Sequence, residues 1–241
     1  MSVTLPATDH ASAGSSAVDP PARVAVLTRA HAPAAWGAAV LVPLGAVLAL
    51  VSTVFDPHST EPEPRGMFVA YGADPAGADI AATVLHYGFM ALGLGMLLAG
   101  IAPVSRRGRV TAVIGAALSG LGFLNMSGAV VSDWYDARLA ASLGVDRAME
   151  LSSQAMDMPA LANGWMLPAI VGLLVGPIVL VVGLARAGSV GWWALALPVA
   201  AAALFLVGQE ALAETGFLVT LGLYVVLGVV LGRGLLRHRA A

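Results

Sequence analysis

The sequence predicts an all-α protein, a polytopic transmembrane bundle of six helices with both termini on the cytoplasmic side (N-in/C-in). Three observations carry this. Apolar residues gather in blocks of about 20, enough to cross a ~30 Å hydrocarbon core at ~1.5 Å per residue. Arginine is concentrated in alternate connections between the blocks, and basic flanks stay in the cytoplasm. The five tryptophans fall at block edges, the headgroup level where an indole ring is buried and its N–H stays wet.

The composition agrees. Hydrophobic residues make up 59% of the chain and charged ones 11%, with mean hydropathy +0.86, whereas soluble domains are roughly half apolar and a quarter charged. In lipid every backbone N–H and C=O needs a partner within the protein, so such blocks must be helices. The chain has no cysteine and no lysine. Disulfides, thiolate metal sites, iron–sulfur clusters and a cysteine nucleophile are therefore excluded. The Arg-only, Ala/Gly/Val/Leu-rich composition points to a GC-rich bacterial genome and a multi-pass protein of the bacterial plasma membrane.

Residues 1–32 lack a sustained apolar period and read as a disordered cytoplasmic tail. The transmembrane domain covers 33–235, with spans at 34–54, 80–104, 110–131, 164–184, 192–209 and 215–232. Residues 236–241 form a basic cytoplasmic tail. With six crossings, Arg23, Arg29, Arg106, Arg107, Arg109, Arg186, Arg233, Arg237 and Arg239 share one side, and Arg65, Arg138 and Arg147 the other. The topology rests chiefly on Arg106, Arg107, Arg109, Arg237 and Arg239. All acids but Asp9 and Asp19 lie on the side opposite the nine arginines. Trp36, Trp192 and Trp193 fall at the inner interface, Trp134 and Trp165 at the outer one.

The connection between the third and fourth spans predicts a helical extension over Trp134–Leu143. A short extracytoplasmic helix then follows to Met156, capped by Asp146, with Val145 and Met149 on one side and Pro159 ending it. Such a helix roofs a shallow cavity whose rim includes Asn163, Gln209, Glu210 and Glu214. Small residues four apart (Gly115/Ser119, Gly172/Gly176, Gly228/Gly232) mark close helix packing. The Gly172/Gly176 and Gly228/Gly232 faces are candidate surfaces for a second copy or a membrane partner. The lipid bilayer is the expected surrounding, and no nucleic acid is expected as a partner.

No Asp, Glu or Arg occupies the middle of a predicted span, which argues against a proton-coupled pump or a charged ion filter. His86 and Asn125 are the polar exceptions. Both lie about six residues, ~9 Å, below the outer surface on adjacent antiparallel helices, with Tyr87 and Ser127 beside them. An imidazole–amide hydrogen bond is expected, either as an interhelical clamp worth ~1 kcal/mol or as part of a ligand site. Asp133 and Asp136 lie above the pair and complete the candidate polar cluster. No cofactor is expected. His58, Met156 and Met158 are weak metal candidates, because thioether and imidazole suit a soft ion, but their spacing is not diagnostic.

The Asp133–Trp–Tyr–Asp136–Ala137–Arg138 run approaches the phosphatidyltransferase aspartate motif. It lacks that motif's glycine and spacing and is predicted on the wrong side of the membrane. The span layout resembles the small six-span membrane proteins of high-GC, actinobacterial-type bacteria, a likeness that carries over no functional residue. The sequence therefore favours a non-enzymatic protein, a small transporter or an accessory membrane subunit. The alternative is a membrane enzyme or ligand-binding protein with an outward polar cavity around His86 and Asn125.

Overall fold

The structure, a computed structural model, describes residues 32–102, 105–211 and 213–237, with side chains described outside 207–214. The predicted N-terminal tail, with Arg23 and Arg29, Arg239 and the side chains of Gln209, Glu210 and Glu214 lie outside the described residues.

All regular structure among the described residues is helical. Helix α1 covers Ala32–Phe55, α2 Arg65–Ala73, α3 Pro75–Ile101, α4 Arg109–Ala129, α5 Val131–Leu143 and α6 Val145–Met156. Helix α7, Pro159–Arg186, contains a π-helical turn at Ala162–Met166. Helix α8 opens with a 3-10 turn at Trp192–Leu195 and continues over Ala196–Ala211, and α9 is Ala213–Arg237.

Five helices are long and apolar enough to cross a membrane, namely α1, α3, the α4–α5 rod, α7 and α9. The apolar stretch of α8, Trp192–Leu206, is shorter. The exposed positions identify the surroundings. Val40, Leu44, Val47 and Val51 form an exposed stripe along α1, and Val171 and Val175 do the same on α7. A soluble helix turns such a stripe inward, so this bundle is built to be embedded in lipid.

Neighbours follow the order α8–α9–α1–α3–α4–α7. The circuit closes where the Tyr224 hydroxyl of α9 donates to the Leu173 carbonyl of α7 at 3.3 Å and the Tyr224 ring meets Phe123 edge-on. Without a hydrophobic drive between helices in lipid, dispersion contact between closely approaching backbones holds them. A Cβ on Gly172 would sit 2.7 Å from the Gly122 Cα, and one on Gly176 would sit 2.7 Å from the Ser119 Oγ. Gly228 and Gly232 lie as closely against Pro43 and Ala39 of α1. The two faces suggested as surfaces for a partner are thus consumed inside the chain.

One end of the bundle gathers the end of α1, α2, the start of α3, and α5–α6. It carries Asp56, Glu61, Glu63, Asp74, Asp79, Asp133, Asp136, Asp146, Glu150 and Asp157 and is called the acidic end. The other, basic end gathers Ser105–Arg109, Arg186–Trp192 and the last turn of α9.

Three differences from the sequence expectation shape the acidic end, and α7 likewise starts earlier than expected, at Pro159, which opens this helix and does not itself end the short one before it. Helix α3 starts at Pro75, not 80, because the Asp74 side chain accepts from the Gly77 N–H at 2.9 Å and Pro75 suits the first helical turn. Helix α2 lies in a connection from which no helix was expected. Helix α6 fills the predicted short-helix position, but Asp146 is not its cap. Gly144, at φ +83°, precedes the helix, and Asp146 pairs instead with Arg65.

Candidate functional site

Helices α2, α5 and α6 form a cap over the acidic end. Phe68 of α2, Ala140 of α5 and Ala148 of α6 bury one another, with Met67, Leu139, Val145 and Met149 around them. In α6 the positions Val145, Ala148 and Met149 face this small core, while Asp146, Arg147 and Glu150 are exposed. Tyr71, Ala78 and Ala137 make a second cluster that joins α2 and α5 to the start of α3. Ion pairs tie the rim: Arg65 to Glu61 (3.0 Å) and Asp146, Arg138 to Asp79, and Arg147 to Glu150.

Beneath α6 lies a hollow of about 470 Å³. Met67, Phe68, Met149 and Met156 supply its apolar lining, and Asp133, Asp136 and the Arg147-paired Glu150 its acidic groups. An adjoining hollow of about 240 Å³ shares Ser132 and Met156 and runs toward Leu161 and Trp165, which extends the cavity along apolar surface. A third hollow, about 430 Å³, shares Met67 and is lined by Asp56, His58 and Tyr71.

The α4–α5 rod, 35 residues long, is longer than a span starting at Arg109 needs. Asp133 is 24 residues past Arg109, ~36 Å along a helix axis and farther than the ~30 Å hydrocarbon thickness. Asp136 is buried, at 6% exposure, and accepts from the Ser152 hydroxyl at 3.2 Å. Burial raises its pKa, and the Ser152 hydrogen bond opposes the rise. Asp133 is pushed up to about 7, first by burial and then by the charges of Asp136 and Asp56, against a hydrogen bond from Ser132. Burial and the charges of Asp133, Asp56 and Asp136 raise the Tyr71 hydroxyl, which is also hydrogen-bonded to Asp56. A neutral Tyr71 therefore donates to a carboxylate within an acidic neighbourhood.

None of the three arginines of this end reaches Asp133 or Asp136. No cationic side chain pairs with either carboxylate among the described residues. The hollow thus combines an apolar wall with two carboxyl groups, Asp133 and Asp136, that no cation compensates, Asp133 being about half ionised near pH 7.

No family model, no curated protein and no solved structure matches the chain. The chemistry of the hollow must therefore be read from its own residues.

The expected His86–Asn125 pair is replaced by a different one. His86 Nδ1 lies 2.9 Å from both the Ser127 carbonyl and the Ser127 Oγ, and the Ser127 hydroxyl donates to the His86 carbonyl at 3.2 Å. A carbonyl only accepts, so the consistent assignment puts the proton on Nδ1. Asn125 contributes its backbone carbonyl, which accepts from Trp165 Nε1 at 3.0 Å. Trp134 lies against the His86 ring, and its indole N–H donates to the Asp79 carbonyl at 3.2 Å. His86 therefore clamps α3 to α4 below the cap and does not line the hollow. Asp133 and Asp136, by contrast, are brought together there.

The weak metal candidates do not converge. His58 and Met156 line separate hollows, and Met158 is exposed. No group of three or more His, Asp or Glu side chains able to share a metal ion occurs among the described residues. The hollow's apolar half was missed by sequence reasoning. Met67 and Phe68 belong to the unexpected helix α2, and only the Val145/Met149 spacing on α6 hinted at an apolar underside.

Proposed function

We propose that the protein is a non-enzymatic, six-crossing membrane protein of a bacterial plasma membrane, and that its externally facing cap receives an amphipathic organic cation. A small transporter or an accessory subunit that presents such a ligand fits this role. The observation that carries the proposal is the pairing of an apolar, methionine-rich wall with two carboxylates that no arginine neutralises. Methionine side chains adapt to varied apolar shapes, and a desolvated carboxylate near a bound cation gains far more than it does in water.

The six-crossing topology draws on α8, which leads from the connection at Gly191 to the start of α9. On this reading α8 crosses between the same two ends as the five long helices, with a shorter apolar stretch, Trp192–Leu206. The orientation draws on the arginine asymmetry and the rule that basic flanks stay inside.

The test is binding of tetraphenylphosphonium, a lipophilic cation, to the purified protein in nanodiscs, with protein-free nanodiscs as the partition control. Saturable binding is expected, and Asp136→Asn should weaken it by about tenfold or more. Binding equal in the wild type, Asp133→Asn and Asp136→Asn would remove the basis for the proposal.

A further inference from the structure

The basic end holds a further hollow, about 580 Å³, that the cap does not touch. It lies between the α7–α8 connection and the last turns of α9, and Ser189, Trp193, Val230, Arg233 and Arg237 line it. We propose that this hollow binds a phosphate ester, the chemistry shared by an anionic phospholipid headgroup and a soluble phosphate compound.

Four features support the assignment. Arg233 and Arg237 are four residues apart on α9, so their guanidinium groups leave the same helix face and repel unless an anion lies between them. Neither forms an ion pair with a carboxylate among the described residues. A helix C-terminus tolerates cations, which accounts for arginine here but not for the cavity beside it. The third feature is Ser189. It is 5% exposed, and its hydroxyl has no hydrogen-bond partner among the described residues. A buried hydroxyl normally finds a partner, and Ser189 sits in the wall of the hollow, where a small local opening would let it donate to a phosphate oxygen.

The fourth feature is rigidity. Gly188 turns the chain at φ +76°, and Gly234 lies so close to Ser189 that a Cβ on it would strike the Ser189 carbonyl. The connection is therefore seated directly on the α9 backbone, which holds the serine in register with the arginines. Trp192 and Trp193 are exposed beside it, the setting an indole prefers at headgroup depth. Val230 lines the hollow, and Val226 and Val229 are exposed on the same helix, leaving apolar surface for acyl chains. Arginine adds planar, multi-donor geometry matched to phosphate oxygens.

This inference is independent of the ligand proposed for the cap. Native mass spectrometry of the intact detergent-solubilised protein tests it, with phosphatidylglycerol, phosphatidylcholine and inorganic phosphate titrated separately. Phosphatidylglycerol should bind in preference to phosphatidylcholine. Arg233→Gln/Arg237→Gln should weaken that binding roughly twenty- to thirtyfold, at about fivefold per arginine. Ser189→Ala should weaken it less, and Arg107→Gln, at the same end but outside the hollow, should leave it unchanged. If inorganic phosphate displaces the lipid, the phosphate group is what is recognised and a soluble ester is the better ligand. If it does not, the lipid is the ligand. Equal phosphatidylglycerol affinity in the wild type and the Arg233/Arg237 variant, or an equal loss in Arg107→Gln, overturns the proposal.

Discussion

The membrane bundle and the acidic cap are held together by different forces. In the bundle, α4 and α7 approach until Gly122 and Gly172 leave no room for a methyl group. Its largest fully buried side chains, Phe123, Leu92, Met96 and Leu180 among them, fill what the close backbones leave. The cap has no comparable seam. Two small clusters around Phe68 and Tyr71 and a rim of arginine–carboxylate pairs hold it. Backbone contact is indifferent to salt and pH, whereas buried carboxylates are not. The bundle should therefore act as a rigid frame and the cap as the part that responds to solution conditions and ligands.

The sharpest way to break this contrast is to overfill the seam. Gly172→Leu should destabilise the protein by about 3 kcal/mol or more, and thermal unfolding in detergent should show the same loss at low and high salt. A loss that varied strongly with salt would mean that charge, not close packing, dominates the bundle.

Removing the cap's anchor comes next. Phe68→Ala should cost about 2–3 kcal/mol in cap stability, toward the lower side of core truncations because the cluster is small. Protease nicking of the α5–α6 segment should rise while the bundle stays folded. Loss of the whole fold would mean that the cap is not separable from the frame.

The pH response sharpens the contrast further. Asp133 titrates near 7 in the folded protein and near 3.9 in an unfolded chain. The folded state thus holds more protons between those values. The contribution of the neutral carboxyl is fully present below about pH 4 and is lost as pH rises through about 7. Asp133→Asn should have nearly the wild-type melting temperature at pH 4 and a higher one at pH 8. A variant less stable than wild type at pH 8 would contradict the assigned shift.

The smallest effect should come from the rim. Arg138 and Asp79 form an exposed pair, and such pairs contribute about 0.2–1 kcal/mol. Arg138→Gln should lower the melting temperature only slightly, and high salt should erase the difference.

Much of the frame was legible in the sequence because hydropathy blocks are long-range signals that survive ignorance of helix rotation. Rotation itself was not legible. Asn125 and Ser127 differ by two residues, ~200° around a helix, and that angle decides which one His86 meets. The glycine pairs were recognisable as contact positions, but nothing in the spacing could say that Gly172 meets Gly122 and not a second protein. Helix α2 was hidden by Pro62, Pro64, Gly66 and Gly72, which read as turn signals. With α2 went the Met67–Phe68 wall of the hollow. The Asp74–Pro75 start of α3 carried a readable capping signal, outweighed by the weak hydropathy of the residues just after it.

The proposal most open to direct test is that six crossings hold the acidic cap outside and the basic end inside. Because the chain has no cysteine, single-cysteine labelling with a membrane-impermeant maleimide tests it directly. Ser153→Cys in α6 should label in intact cells. Arg106→Cys, Ser12→Cys and His238→Cys should label only after permeabilisation. External labelling of Arg106→Cys, or opposite accessibility of Ser12→Cys and His238→Cys, would contradict the account.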